Sequence, residues 1–348
     1  MSAKEFGIIG LGRMGGNLAL QAIEKGVRVV GFTHGGVSPE LIQARVTQAR
    51  DLKGLATALH TPRVVFLYIP AGPAVDTLLD EMTRVLQSGD IVVDGGNSYW
   101  GDSIRRHQRL QHQGLEFVDL GTSGGIEGAR HGACFMAGGS EAAIRRIEPI
   151  LKMLALPGGY VHAGGPGAGH FTKLVHNGIE FGMLQAIGEG LDLLEHFPER
   201  LKIANVLECW RHGSVIRSWL IDLLARAYHA EDIKQVPSYV EDTGEVNWLV
   251  DDAIRMEVPV PVIAQSVMQL FASRDEQKLW ARAIAMMRHG FGGHPYGPSA
   301  PIRQERRTGR ISAAPTLSSD GDLKRSTAVR RQRTSRAATP TAPRSRRA

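Results

Sequence analysis

Gly10-Leu11-Gly12-Arg13-Met14-Gly15, directly after the apolar run Phe6-Gly7-Ile8-Ile9, restricts the fold of this chain more than any other feature. In G-x-G-x-x-G between a strand and a helix, the first glycine permits the tight turn. The second lets the backbone approach a pyrophosphate, and the third lets the helix pack closely on the strand. A helical pattern then runs from about Met14 to Lys25 and stops at Gly26, and Val27 to Phe32 reads as a second strand. The N-terminus of that helix offers free N–H groups and partial positive charge to phosphates. Glycine turns are also common structural devices. It is the position at residue 10, inside a strand–turn–helix–strand unit, that points to a dinucleotide.

Further strand-like runs follow at Val64 to Ile69, Ile91 to Asp94 and Phe117 to Leu120, with helical patterns between them such as Ala74 to Leu86 and Asp102 to Gln113. This alternation predicts a parallel sheet covered on both faces. The pattern changes after Gly164-Gly165-Pro166-Gly167. Helical periodicity dominates from His170, over 171–197, 203–210, 219–228, 248–257 and 263–289. The expected fold is an α/β Rossmann-type dinucleotide-binding domain over residues 1–167, then an all-α substrate and dimerisation domain over 168–298. A disordered basic tail is expected over 299–348, where Arg, Ser, Thr, Ala and Pro leave little to bury.

The tail also explains the net charge of +6. From Arg303 onward there are thirteen basic and three acidic residues, so the remainder of the chain is mildly acidic. No nucleic-acid groove is expected in the folded body. Nothing approaches the ~18 consecutive apolar residues of a membrane helix, and no signal peptide is recognisable. The two cysteines, Cys134 and Cys209, are too few for a disulfide framework. A cytoplasmic home follows as an expectation.

Two places bear on chemistry. At the end of the second strand an acidic residue would favour NAD and a basic one NADP. Here Thr33 and His34 stand instead, able to hydrogen-bond a phosphate or to serve simply as turn residues, so the choice between NAD and NADP stays open. The second place is the helix beginning near Gly169. Lys173, His176, Asn177 and Glu180 fall at i, i+3, i+4 and i+7, one stripe on one face. Such spacing often marks only a solvated face. Around it, however, stand Phe171, Leu174, Val175, Ile179, Phe181 and Leu184, and Gly178 and Gly182 would each weaken an exposed helix by roughly 1 kcal/mol. A buried helix with its polar stripe facing a cavity fits better.

With these residues assembled, the chain resembles the 6-phosphogluconate dehydrogenases, in particular their short-chain branch. The likeness runs from about Lys4 to His294. It rests on the glycine turn, Asp94-Gly95-Gly96-Asn97-Ser98, Ser123-Gly124-Gly125, Gly169 to Glu180 and Phe291-Gly292-Gly293-His294. The resemblance implies Lys173 as general base and Glu180 as general acid. It implies that Asn97, Ser123, Gly124, Gly125, His176 and Asn177 hold the sugar acid, with Arg288 and His294 reaching the site from a neighbouring subunit of a dimer or tetramer. Gly10, Leu11, Gly12, Arg13, Met14, Gly15, Thr33, His34, Ile69, Pro70, Ala71 and Asn97 would contact NAD(P). No metal is implied. The chain departs from the family where phosphate is recognised. Phe181 replaces a tyrosine, Leu270 stands where an arginine is expected with Arg274 one turn on, and the loop from Asp242 to Trp248 lacks a second glycine and a basic residue before the tryptophan.

The implied chemistry is oxidation at C3 of 6-phosphogluconate, with Lys173 taking the hydroxyl proton. Loss of the carboxylate as CO2 follows, and Glu180 protonates C1 of the enediol that remains. Lysine can act as a base only when neutral, which burial favours. A β-hydroxy acid dehydrogenase of the 3-hydroxyisobutyrate type would share the cofactor domain, the Ser-Gly-Gly turn and the lysine, but would not need Glu180. A non-catalytic nucleotide sensor would need neither Lys173 nor Glu180.

Overall fold

The structure, a computed structural model, describes residues 5–303; residues 1–4 and most of the expected tail, 304–348, lie outside the described residues. In chain order the elements are β1 (Glu5–Ile9), α1 (Arg13–Glu24), β2 (Arg28–Phe32), α2 (Pro39–Gln43), β3 (Thr47–Gln48), α3 (Leu52–Ala58), β4 (Val64–Leu67), α4 (Pro73–Met82), β5 (Ile91–Asp94) and α5 (Trp100–Gln111). They continue with β6 (Glu116–Ser123), α6 (Gly125–His131), β7 (Ala133–Gly138), α7 (Glu141–Leu154), β8 (Ala155–Gly164), α8 (Ala168–Glu195), α9 (Ile203–Trp210), α10 (Trp219–Ala230), α11 (Glu245–Arg255), α12 (Pro261–Arg274) and α13 (Leu279–Gly292). Residues up to Glu276 pack as one compact unit, and those from Gln277 belong to a second.

The eight strands form one sheet in the order β3-β2-β1-β4-β5-β6-β7-β8. Its first six follow the doubly wound dinucleotide-binding order, with the topological switch between β1 and β4. Alternation along the strands sends side chains to opposite faces. Phe6, Ile8, Val29, Phe66 and Val93 join one core, and Ile9, Val30, Val65, Leu67, Val92 and Phe117 the other. Both faces are therefore covered, as near-continuous apolar strands require.

Two sequence expectations need correction. The sheet is not wholly parallel: β7 runs antiparallel to β6 and parallel to β8. β7 follows a short helix, α6, rather than a full crossover, which lets it return beside β6. β8 is a half-exposed edge strand built on Leu156-Pro157-Gly158-Gly159, a composition that gives little strand signal. The long helix expected over 263–289 is two helices. α12 ends at Arg274, and Lys278 takes a left-handed φ of 47° before α13. Arg274-Asp275-Glu276-Gln277-Lys278 offers no apolar residue to carry a helical stripe across the break.

α8 lies against β6 and β7 and carries α11 and α12 on its other side. Asp119, fully buried on β6, accepts hydrogen bonds from the backbone N–H of Gly167 (2.7 Å) and of His170 (2.8 Å). A carboxylate at that end satisfies free N–H groups and complements the helix dipole. At Gly169 a Cβ would lie 2.4 Å from the Asp119 carbonyl oxygen and 2.5 Å from that of Met136. Only glycine allows the helix to press this closely on the sheet.

Candidate active site

The glycine turn has the shape a dinucleotide needs. Gly10 has φ +93°, and a Cβ on it would fall 2.3 Å from the Tyr68 carbonyl oxygen, so β1 and β4 meet at the switch point through this residue. A Cβ on Gly15 would sit 2.0 Å from the Gly10 oxygen, whereas one on Gly12 would meet nothing within 4 Å. Gly12 therefore borders open space at the N-terminus of α1, where no side chain caps the helix. This is an open cradle of free N–H groups, and it fits a pyrophosphate. Leu11 is buried beneath the turn, Arg13 is exposed and Met14 is half-buried. Thr33 and His34 follow β2, the His34 ring lying edge-on to Phe32 at 5.2 Å.

Two further loops border the same edge. Ile69-Pro70-Ala71 follows β4, and Gly95-Gly96-Asn97 follows β5. Asp94 organises the second loop by accepting from Gly96 N (3.1 Å) and Ser98 Oγ (2.8 Å). Arg106, fully buried on α5, joins the two. It donates to the Gly72 carbonyl (3.1 Å), to Asp76 (2.9 Å) and, at 3.5 Å, to Asp94.

On α8, Lys173 and Asn177 are buried, His176 is half-buried and the Glu180 side chain is 39% exposed. The stripe is thus not a solvated face. Lys173 Nζ donates to Asn177 Oδ1 and lies 3.5 Å from His176 Nδ1. His176 Nε2 is 3.0 Å from Ser123 Oγ, and its Nδ1 is 3.8 Å from Glu180. Burial pushes the Lys173 ammonium below the usual lysine range, with partial opposition from Glu180, Glu245 and Cys134. Burial, and then the charge of Lys173, hold His176 below the usual histidine range. Gly121 keeps the backbone close, since a Cβ there would lie 2.5 Å from Lys173 Cβ.

These side chains open into a cleft of about 790 Å³ that runs from Met14 and Ile69 past Asn97, Ser123, Gly124 and Gly125 to Lys173, His176, Asn177 and Glu180. The remaining cofactor residues named from the sequence border the glycine turn and the β2 and β4 ends rather than lining this cleft. Arg288 and His294 belong to the second unit, at the end of α13 and just beyond it; Arg288 is exposed and His294 partly so. Arg274 is engaged elsewhere, with Asp242 at 2.5 Å and Glu241 at 3.7 Å. Phe181 does line the cleft. Sequence reasoning missed Tyr68, Trp219 and Glu245, which also line it. Tyr68 stands next to Ile69 at the end of β4 and was within reach of the sequence. Trp219 and Glu245 come from the starts of α10 and α11, which no local spacing ties to α8.

Two family profiles match the chain. The NAD binding domain of 6-phosphogluconate dehydrogenase matches residues 5–164, and the 6-phosphogluconate dehydrogenase C-terminal domain matches residues 169–300. The chain belongs to the 6-phosphogluconate dehydrogenase family. Within that family it is 40% identical over 293 residues to YqeC of Bacillus subtilis, which covers 83% of this chain and 98% of that protein. It is 37% identical over 297 residues to the NAD(+)-dependent, decarboxylating 6-phosphogluconate dehydrogenase of Haloferax volcanii, covering 83% of this chain and 97% of the relative. Among solved structures, Plasmodium falciparum 6-phosphogluconate dehydrogenase, determined with NADP+ and with 6-phosphogluconate, superposes with a TM-score of 0.72 at 26% identity. That match covers 85% of this chain but 66% of the longer Plasmodium chain. No described helix is long and apolar enough to cross a membrane.

Proposed function

We propose that this chain oxidises and decarboxylates 6-phosphogluconate to ribulose 5-phosphate and CO2 with reduction of NAD(P)+. The observation that carries the reading is the buried Lys173 on the same helical stripe as Glu180, at the end of a cleft that begins beside an open glycine turn. The cofactor, held at residues 10–15, 33–34, 69–71 and 97, supplies the hydride acceptor. The chain's own groups manage the protons. Lys173, kept neutral more readily by burial, takes the proton of the C3 hydroxyl. As an ammonium it then donates a hydrogen bond to the oxygen at C3 while the C1–C2 bond breaks and C1 leaves as CO2, stabilising the charge that develops on that oxygen. Glu180, at the partly exposed end of the stripe, returns a proton to the former C2, which is C1 of the enediol. Ser123, His176 and Asn177 hold the hydroxyls and carboxylate in register for these transfers.

The boundary between the cofactor domain and the helical domain falls at residues 167/168 in this reading, and the enzyme works in the cytoplasm. It is a homo-oligomer, dimer or tetramer, in which Arg288 and His294 serve the site of a neighbouring chain. Exposed Ile179, Met183, Leu184 and Trp219 around and beyond the cleft support such covering. Steady-state turnover of 6-phosphogluconate with NAD+ and with NADP+, following CO2 together with reduced cofactor, tests the activity. Reduced cofactor without CO2, or no turnover with either nucleotide, rejects it. Mixing inactive Lys173→Ala and His294→Ala chains tests the sharing. Partial recovery of activity is expected, and a fully active monomer by light scattering rejects it.

A further inference from the structure

Glu245, the first residue of α11, enters the cleft from an element that the catalytic stripe does not include. Its place is fixed by packing. Leu249, one turn on, fills the gap left by Gly178, where a Cβ would come within 2.3 Å of it, and Val246 is fully buried. Gly244 precedes it in the left-handed region at φ +81°, turning the loop sharply into the helix. The carboxylate that this delivers touches two amides from different parts of the chain. Glu245 Oε1 accepts from Asn97 Nδ2 at 3.3 Å and from Asn177 Nδ2 at 3.4 Å, while Oε2 accepts from Thr243 Oγ1.

We infer that Glu245 is a positioning residue of this site, one that sets the orientation of the Asn97 and Asn177 amides and holds a negative charge against Lys173. The inference rests on the reading of Lys173 as the base. An amide side chain has a donor end and an acceptor end that differ little in shape, so what it offers a substrate depends on which end is already engaged. A carboxylate only accepts, so it draws the NH2 end of both asparagines to itself. Asn177 is left with Oδ1 on Lys173 Nζ, its observed partner. Asn97 is left with Oδ1 for a substrate hydroxyl. The site thus reads a hydrogen-bond donor at Asn97, and Lys173 is held in place before substrate arrives.

The titratable groups around Lys173 Nζ are Glu180 and His176 on α8 itself, Glu245 on α11 and Cys134 on β7. From β6, the Asp119 carboxylate is taken up by backbone N–H groups at the start of α8. Glu180 and Glu245 both favour the ammonium, so removing Glu245 lets burial push Lys173 further toward the neutral amine. Glutamine at 245 keeps an accepting oxygen for the amides and loses the charge. Alanine loses both.

The test uses the full chain in three forms: unaltered, Glu245→Gln and Glu245→Ala. Trace acetylation of Lys173 with acetic anhydride across pH, read by mass spectrometry without substrate or cofactor, reports its protonation independently of turnover. The midpoint is expected to fall in both variants, and the acid limb of kcat/KM to move the same way. In Glu245→Ala kcat is expected to drop on the order of 10²-fold as the amides turn, with Glu245→Gln recovering a large part of that loss. An unmoved Lys173 midpoint in Glu245→Gln, with an unchanged melting temperature, overturns the charge role. Equal kcat in the two variants overturns the amide role. Failure of the unaltered chain to turn over 6-phosphogluconate rejects the proposed function instead, and leaves the labelling midpoint to judge Glu245.

Discussion

Residues 5–164 and residues 168–276 spend their apolar side chains in opposite ways. The sheet region closes two large cores, one on each face, and its buried charges are satisfied: Arg106 by Asp76 and Asp94, Asp90 by Arg63, and Asp119 by backbone N–H groups. The helical region has only small clusters, around Leu174, Val246, Leu249 and Val267, and around Leu191, Ile203, Leu207 and Ala225. Much of its apolar surface faces outward, with Leu193 75% exposed and Leu184, Ile216 and Trp219 about half so. Burial in this region concentrates where the first three turns of α8 press on β6 and β7, and Lys173 and Asn177 lie there. The groups proposed to react are therefore placed by their packing against the sheet, although they belong in sequence to the helical region.

The largest effect should come from the buried cation that opens into the cleft. Lys173→Ala is expected to lower kcat by about 10²–10⁴-fold, the usual range for a general base, with the melting temperature nearly unchanged. In the unaltered enzyme kcat/KM should fall as pH drops through the pKa of Lys173, because the ammonium cannot accept a proton. Burial depresses that pKa, so the limb should lie below the range of an exposed lysine. A Lys173→Ala enzyme with near-normal turnover would make the stripe structural and leave the two regions without a functional division.

Next comes the depth of the sheet core. Phe117 on β6 is fully buried in the cluster formed with Val92, Leu79 and Leu110. Phe117→Ala should destabilise the chain by about 3–5 kcal/mol, the sum of lost transfer energy and the cavity left behind. Urea titration measures it. A loss below 1 kcal/mol would show that the sheet region relaxes far more readily than its packing suggests.

The seam between the regions should respond through both stability and activity. A Cβ on Gly121 would fall 2.5 Å from Lys173 Cβ. Gly121→Ala should cost about 1–3 kcal/mol as overpacking and lower kcat more than it changes the KM for the nucleotide, because it displaces the lysine and not the glycine turn. An equal rise in both KM values with kcat intact would place the seam outside the reaction.

These contrasts also explain what could be read in advance. Much of the strand–helix alternation of the first 120 residues was legible because most strands there are short apolar runs and the longer helices amphipathic repeats, but β3, only Thr47–Gln48, and the short helices α2 and α3 were not. The lysine stripe was legible because a helix keeps its spacing in sequence. β8 was not, since Leu156-Pro157-Gly158-Gly159 reads as a turn and its pairing with β7 decides otherwise. Nor was Glu245, which reaches Asn177 from 68 residues away through the fit of Leu249 against Gly178. The part played by Arg274 stayed open because nothing local revealed its pairing with Asp242.

The smallest expected effect bears most directly on the helical region's outward apolar face. Leu184 is 46% exposed, four residues beyond Glu180, where the buried stripe of α8 has lapsed until Leu191. In an isolated chain Leu184→Ala removes little that is buried and should change stability by no more than about 0.5 kcal/mol, as at other surface sites. If a second chain covers this face, the leucine is buried only in the assembly. Its loss should then weaken association, and stability should depend on protein concentration by mass action. Thermal melts of both forms over a hundredfold range of concentration separate the cases. A melting temperature that rises with concentration in the unaltered chain, and less steeply in Leu184→Ala, means that the helical region completes its core with a partner. Concentration-independent melts that coincide for both forms mean that the face is solvated. The contrast between the two regions would then be one of packing density alone.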